Sequence, residues 1–176
     1  MSDTFITIIA IFLAAILMFI FPLMTLADRN DDITQLTVQT ATTEFIDEIR
    51  RTGKLTEDHY NNFQATLAST GNAYDVELEF QILDENPEKK SAQTSNIVVI
   101  GENVYYSVYT TQIEKKVLGS SSKQYILKEG DIVSVNVKNR GTTLAQTLRN
   151  VYYKVSGEDT YTIAASSSGT VTVNGK

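Results

Sequence analysis

An uncharged apolar run near the N-terminus constrains this chain more than any other feature. Residues 5–26, 22 in all, carry no charged side chain, and most of them are Ile, Leu, Phe, Met or Ala. A transmembrane helix needs about 20 apolar residues to cross a hydrocarbon core about 30 Å thick. No other stretch of the sequence approaches that length. We therefore expect one membrane-spanning helix, with all later residues on one side of the bilayer.

The flanks of this run indicate an uncleaved anchor. A secretory signal has a basic start, an apolar core of about 7–15 residues and a small-x-small cleavage site. The residues before Phe5 include no Lys or Arg, the run is longer, and Thr25-Leu26-Ala27 does not fit the cleavage pattern. Because so few residues precede the span, we expect a cytoplasmic tail at residues 1–4, a span at 5–27 and export of the remainder.

Composition excludes several classes of protein for the exported part. The chain has 15 Lys and Arg against 21 Asp and Glu, a net charge of −6 that is spread along the sequence and argues against a nucleic-acid partner. Cysteine is absent, so a disulfide framework is excluded and an ordinary hydrophobic core must hold the fold together. Trp is absent and Tyr occurs nine times, which fits strands exposed on one face.

Two helices are predicted directly after the span, within residues 28–72. Apolar side chains recur at helical spacing over residues 33–49, and Gly53 follows where a C-terminal glycine is expected. Thr56 predicts the N-cap of a shorter helix that ends at Gly71. We expect these two helices to form a stalk as a helical hairpin or corner. The first of them continues the membrane helix, as one rod bent near its proline or near the Asp-rich joint.

Residues 73–176 predict a mainly antiparallel β-domain with one short helix, so the expected fold class is α+β. The clearest signal is the alternation of apolar with acidic or amide side chains over residues 74–82, typical of a strand with one buried face. Residues 142–153 have the apolar spacing of a short helix. The other predicted strands are 96–100 and 104–112, forming one hairpin, then 123–127 and 131–137, and finally 160–165 and 170–173, forming a hairpin across 166–169.

The sequence contains no constellation typical of catalysis or metal binding. His59 is the only histidine, and without any cysteine it cannot form a typical zinc site, so we expect a solvated helix residue. Asp75, Glu77 and Glu79 fit the wet face of an amphipathic strand. A Ser or Thr nucleophile would need an orienting base. We therefore expect a non-enzymatic protein with no cofactor, no bound metal and no small-molecule substrate.

Tyrosines on one predicted strand are the candidate partner contact. Strand alternation places Tyr105 and Tyr109 on one face with Ser107, and Tyr106 on the other. Such a strip can bind a sugar or a protein partner. Aromatic side chains are also enriched in strands for packing alone, and that alternative stays open.

The order of elements resembles that of a type IV pilin or pseudopilin: a short N-terminus, an apolar helix, an amphipathic helix and a β-rich head. More narrowly, residues 37–79, about a quarter of the chain, are similar to small membrane-anchored proteins encoded with tight-adherence (Tad-like) pilus machines of Gram-positive bacteria. The segments that carry this likeness are FIDEIR at 45–50, TGKLT at 52–56 and TGNAYDVE at 70–77, with Tyr60, Phe63 and Leu67 between them.

The resemblance implies a structural or accessory subunit of a surface pilus or related secretion apparatus, with its head outside the cell and sister subunits as partners. Proteins similar to type IV pilins usually have a Gly before the apolar helix, where a peptidase cuts, and a Glu near its start. Here no Gly precedes Phe5, and the only early acidic residue is Asp3. The expected role is therefore a minor, unprocessed component or a membrane-resident assembly partner.

Apolar helices associate by close packing in lipid or in a fibre core, so the N-terminal helix is the expected assembly element. The candidate face continues beyond the span with Leu36, Phe45 and Ile49. These three residues either extend the contact between subunits or pack on the β-domain of their own chain. A second hypothesis from the residues alone is a membrane-tethered extracellular binding domain that needs no assembly. The candidate assembly residues are Ala14, Ala15, Leu36, Phe45 and Ile49.

Overall fold

One unbroken helix forms the N-terminal part of the molecule. In this computed structural model, which describes residues 2–84, 105–153 and 162–176, helix α1 covers Ser2–Thr52. At 1.5 Å per residue, its 51 residues extend about 76 Å. The helix passes through Pro22 and through the Asp-rich segment that follows the apolar run. The membrane helix and the first predicted stalk helix are therefore one element.

A four-stranded antiparallel sheet forms the other layer of the head, with its strands in the order 105–109, 74–83, 132–139 and 164–170. Its second strand is the one with the clearest predicted alternation, and its position and its inward-facing Leu78 and Phe80 confirm that prediction. The α+β fold class is likewise confirmed. The strands are β1 (Lys54–Thr56), β2 (Tyr74–Leu83), β3 (Tyr105–Tyr109), β4 (Gln124–Ile126), β5 (Ile132–Asn139) and β6 (Ala164–Thr170); the remaining helices are α2 (Glu57–Ser69), α3 (Thr110–Val117) and α4 (Leu144–Tyr153).

The helix boundaries follow the capping signals in the sequence. Gly53 ends α1 with φ of +68°, and Gly71 follows α2 with φ of +78°, a backbone region that glycine enters without penalty. Thr56 caps α2, because its side-chain oxygen accepts a hydrogen bond from the backbone N–H of His59. The three-residue strand β1 between the two helices pairs with β4, a contact that the sequence analysis did not predict.

The second half of α1 and the sheet share one hydrophobic core. Val38, Ile46 and Ile49 are fully buried from the helix side, and Phe80 and Val135 are buried from the sheet side. Because α2 contributes Tyr60, Phe63 and Leu67 to the same core, residues 28–72 form one layer of the head. In this arrangement the head contains the segment that the sequence analysis described as a stalk.

Strand β6 lies alongside α1, and it corrects the prediction of a C-terminal hairpin. Residues 166–169, predicted as a turn because Ser and Gly are common in turns, lie inside β6. A Cβ at Gly169 would meet the end of the Arg50 side chain, so the absence of a side chain at Gly169 leaves room for Arg50 beside the strand. At the two ends of the strand, the Gln35 amide bonds both backbone groups of Ala164, and Arg50 donates to the Thr170 carbonyl. Side chains of α1 thus satisfy part of the outer edge of the sheet.

Helix α3 corrects a second prediction. The sequence predicts a strand over residues 104–112, but the strand ends at Tyr109 and a helix begins at Thr110. The Thr110 hydroxyl bonds the N–H and the carbonyl of Leu78, which ends the pairing of β3 with β2. Ile113 and Val117, four residues apart, then enter the core. The predicted partner strand at 96–100 lies outside the described residues, whereas the helix predicted at 142–153 is confirmed as α4.

Candidate membrane anchor and surface contact sites

The N-terminal half of α1 extends away from the head. Every residue from 3 to 23 is exposed, and burial begins only at Met24 and Ala27. Among the described residues, α1 is the one helix that is long and apolar enough to cross a bilayer. The apolar run of 22 residues spans about 33 Å, which matches a hydrocarbon core of about 30 Å. This geometry supports anchoring of the protein in a membrane.

An exposed apolar face of α1 continues beyond the span. Ile33 and Leu36 lie above the charged segment at 28–32, yet they are 66% and 65% exposed. They occupy the side of the helix opposite Val38 and Phe45, which face the sheet. Ile33 also belongs to a series of exposed apolar residues at every seventh position, the spacing that keeps side chains near one helix face. The series is Phe5, Phe12, Phe19, Leu26 and Ile33.

The structure divides the candidate assembly residues into two groups. Ala14 and Ala15 lie in the exposed span, and Leu36 lies on the exposed face beyond it. Phe45 and Ile49 are buried in the head of the same chain, where Phe45 stacks on Phe63 with ring centroids 4.2 Å apart. The intrachain packing that the sequence left open as an alternative is therefore the arrangement observed for these two residues.

Helix α4 packs against α1 where the apolar run ends, a joint that the sequence analysis missed. An ion pair joins Arg149 to Asp28 at 2.8 Å, and the Thr143 hydroxyl donates to the buried Asp31 carboxylate at 2.6 Å. Thr143 and Gln146 also form reciprocal hydrogen bonds at the start of α4, the capping-box arrangement of Thr-x-x-Gln. That motif is visible in the sequence, but nothing local to it indicates the contact with Asp31.

A groove of about 720 Å³ crosses the outer face of the sheet, which no described element covers. Its polar side chains are mutually bonded: Glu77 accepts from the Asn136 amide, and Glu79 accepts from the Ser107 hydroxyl at 2.8 Å. Asp75, farther along β2, pairs with Arg140. The groove thus presents hydroxyl, amide and carboxylate groups to solvent. It is lined by Glu77, Leu78, Glu79, Tyr109, Thr110, Thr111, Ser134, Val135, Asn136 and Ser166.

The structure places both candidate tyrosines on the predicted face of an outer strand. Tyr105 is 40% exposed and donates a hydrogen bond to the carbonyl of Gly130, at the membrane-distal end of the sheet. Tyr109 is 60% exposed and lines the groove on the outer face. Register with β2 puts Tyr105 beside Leu83 and Tyr109 beside Glu79, so the two rings lie at opposite ends of the strand.

His59 is not the solvated residue that the sequence predicted. Its side chain is 14% exposed, because it lies between α2 and α1 with its ring centroid 4.8 Å from that of Phe45. The imidazole Nε2 is 3.2 Å from a Glu48 carboxylate oxygen. Burial lowers the pKa of His59 below its usual value, and the Glu48 charge opposes that shift in part. The side chain therefore joins the two helices in a largely neutral form at pH 7.

Two tyrosines inside the head are held as neutral phenols. Burial raises the pKa of Tyr60 to about 12, and its hydrogen bond to Glu114 acts in the same direction. Burial likewise raises the pKa of Tyr125, whose ring accepts a cation–π contact from Lys116 at 4.1 Å. Both side chains have structural contacts that account for their positions.

Within the described ranges, no group of three or more His, Asp or Glu side chains is placed to hold a metal ion. Comparison of the chain with family models, curated proteins and solved structures finds no match. Functional conclusions for this protein therefore rest on its anchor and on the surfaces described above.

Proposed function

We propose that this protein is a non-enzymatic, pilin-like subunit or accessory of a surface pilus or related secretion apparatus. Its N-terminal helix anchors it in the cell membrane and serves as the element through which it contacts sister or sibling subunits. The short N-terminus lies in the cytoplasm and the head lies outside. Residues at the exposed face of α1, including Ala14, Ala15 and Leu36, form the assembly contact.

The observation that carries this proposal is the exposure of Ile33 and Leu36. Lipid covers the apolar residues of the span, but these two lie about 10 Å and 15 Å of helix rise beyond Leu26. A charged segment separates them from the hydrocarbon core, and the head covers only the opposite side of the helix. A neighbouring helix packed along α1 would bury both residues and would continue the same contact into the membrane.

The test uses the absence of cysteine in the chain. Leu36→Cys and Ala14→Cys are introduced singly into the full chain, cells are oxidised and sheared, and both fractions are separated without reductant. Lys138→Cys, exposed on the outer face of the sheet, is the matched control. Because each variant chain carries one thiol, we expect disulfide-linked dimers for the α1 variants and not for the control. Labelling of the same variants by a membrane-impermeant maleimide on intact cells tests whether the head is outside.

The distribution of the cross-linked product separates fibre subunit from accessory. Dimers in the sheared surface fraction indicate a fibre subunit, and dimers confined to the membrane fraction indicate an accessory of the assembly machinery. Monomer alone at every α1 position would contradict assembly through this helix.

The groove on the outer sheet face favours a second candidate function, a membrane-tethered extracellular binding domain. Its hydroxyl, amide and carboxylate groups lie beside Tyr109, a combination suited to a polar ligand with an apolar face. This function needs no contact between α1 helices. Monomer at every position in the cross-linking experiment, together with an external head, is the result that it predicts.

A further inference from the structure

The head has no free stalk between it and the membrane. Leu26 ends the apolar run, and Ala27, the next residue, is only 6% exposed because the head already covers it. The polar headgroup layer adds about 5–7 Å on each side of the hydrocarbon core. Asp28 lies two residues, about 3 Å of helix rise, beyond Leu26. The part of the head that contacts Asp28 is therefore at the depth of the headgroups.

Helix α4 is that part of the head, and two contacts set its direction. Thr143, just before α4, bonds Asp31, and Arg149, six residues later, pairs with Asp28. Helix α4 therefore runs antiparallel to α1, and its C-terminal end points toward the span. Since α4 continues for four residues after Arg149, its C-terminal turn is placed nearest to the bilayer.

We propose that α4 is a membrane-surface contact, which seats the head on the bilayer with its C-terminal turn in the interface between lipid headgroups and acyl chains. The argument for this occupant is continuity, because the contact surface begins where the membrane span ends. The inference rests on membrane anchoring and does not depend on assembly into a pilus. It assigns to α4 a role in fixing the height of the head above the membrane.

The charges at this joint indicate which lipid chemistry is recognised. Among the described residues of this joint, three carboxyl side chains, Asp28, Asp31 and Asp32, accompany two guanidinium side chains, Arg29 and Arg149. Arg149 is moreover paired with Asp28, and this ion pair competes with any contact between its guanidinium and a lipid phosphate. A surface of this kind is not attracted to anionic headgroups. We therefore assign the contact to the headgroup–acyl boundary of a zwitterionic bilayer.

A single-tryptophan experiment on the full chain tests the proposal, because the natural chain has no Trp. Asn150→Trp reports the depth of α4. Leu26→Trp, in the span, is the control for insertion, and Ile126→Trp, on β4 beside the far end of α1, is the control for distance. Leu26 and Ile126 are exposed, and the 26 residues from Leu26 to Thr52 separate the two controls by about 39 Å. Each variant is reconstituted in phosphatidylcholine vesicles with acyl chains brominated close to the headgroup.

We expect bromine to reduce the emission of Asn150→Trp and Leu26→Trp and to leave that of Ile126→Trp unchanged. An Asn150→Trp signal that matches the Ile126→Trp control, with full access to aqueous acrylamide, would overturn the proposal. Quenching that appears only after anionic lipid is added would also overturn it, in favour of electrostatic binding. If Asn150→Trp does not fold by circular dichroism, a spin label on Asn150→Cys gives the same depth from its relative exposure to oxygen and to a water-soluble nickel complex.

Discussion

The two halves of α1 have the same backbone structure and opposite surroundings. Residues 5–23 carry apolar side chains on all sides and are exposed throughout, whereas residues 27–52 carry one apolar stripe that packs against the sheet. A helix that is apolar all round needs an apolar solvent, and an amphipathic helix needs a folded partner. The comparison shows that the distribution of side chains around the axis, and not helix formation itself, separates anchor from head.

The boundary between the halves is correspondingly sharp. Met24 is half-buried and Ala27 is buried, so the change from lipid-facing to protein-covered helix takes less than one turn. At this boundary α4 supplies the partners of Asp28 and Asp31. The carboxylates of Asp28 and Asp31 thus bind side chains of the same protein at the end of the apolar run.

The largest expected difference is between Phe45→Ala and Phe12→Ala. Phe45 is 2% exposed and stacks on Phe63, so its truncation leaves a cavity in the core and should reduce the free energy of unfolding by about 3–5 kcal/mol. Phe12 is exposed in the apolar run, outside the head, and its truncation should leave the stability of the head unchanged within about 0.5 kcal/mol. Urea unfolding of the full chain in detergent micelles, followed by circular dichroism, measures both. Equal losses would contradict the separation of anchor and head.

The two glycines that end α1 and α2 give the next comparison. A Cβ at Gly53 would collide with the Val173 carbonyl and the Gly175 backbone nitrogen, whereas a Cβ at Gly71 meets nothing within 4 Å. Gly71→Ala should therefore reduce the free energy of unfolding only by the strain of a left-handed alanine, about 1–2 kcal/mol. Gly53→Ala adds an overpacking penalty of about 1–3 kcal/mol. Similar midpoints of thermal unfolding for the two variants would mean that the C-terminal segment does not hold the end of α1.

Adjacent carboxylates at the boundary give a smaller effect. Asp31 is buried and accepts the Thr143 hydroxyl, whereas Asp32 is exposed. Asp31→Ala leaves Thr143 without this acceptor and should reduce stability by about 1–3 kcal/mol. Asp32→Ala should change it by less than about 0.5 kcal/mol. Denaturant midpoints for the pair measure the difference, and a larger loss for Asp32→Ala would show that α4 does not pack on Asp31 as described.

Local signals in the sequence were sufficient for much of this fold. Each of these signals depends only on residues close together in sequence. They are the apolar run, the glycines Gly53 and Gly71 at the helix ends, the cap Thr56 and the alternation in β2. Each reports a requirement of the backbone or of one buried face. For this reason these predictions agree with the structure.

Other elements depend on contacts distant in sequence and were missed. Residues 166–169 have turn composition, but they form a strand that pairs with β5, and Gly169 of this strand lies against the Arg50 side chain of α1. Residues 110–112 have strand composition, but the Thr110 hydroxyl replaces the next pair of the β2–β3 ladder and a helix follows. His59 has the sequence context of an exposed residue, but Phe45 and Glu48 cover it. Of the candidate sites, the span, Leu36 and the shared face of Tyr105 and Tyr109 could be predicted from the sequence. The contact of α4 with α1 could not, because it has no local signature.

The smallest expected difference concerns His59 and the contact between α1 and α2. Its pKa is lower in the folded chain than the value of 6.5 expected when unfolded, because burial disfavours the imidazolium more than Glu48 favours it. The unfolded chain therefore takes up the proton first as the pH falls. The stability that His59 contributes should be complete above pH 6.5, decline through its folded pKa and stay constant below it.

His59→Gln isolates this contribution, because the carboxylates around the ring are the same in both chains. Glu44 and Glu48 line a small cavity between α1 and α2 together with His59, and Asp58 precedes it in sequence. Thermal midpoints of the natural chain and of His59→Gln are compared from pH 7.5 to pH 5. We expect the natural chain to lose more stability than the variant over this interval. A greater loss for His59→Gln would mean that the Glu48 pair outweighs burial and that the folded pKa is raised. The sign of the difference therefore decides whether this joint in the head half of α1 behaves as a buried contact or as an ion pair.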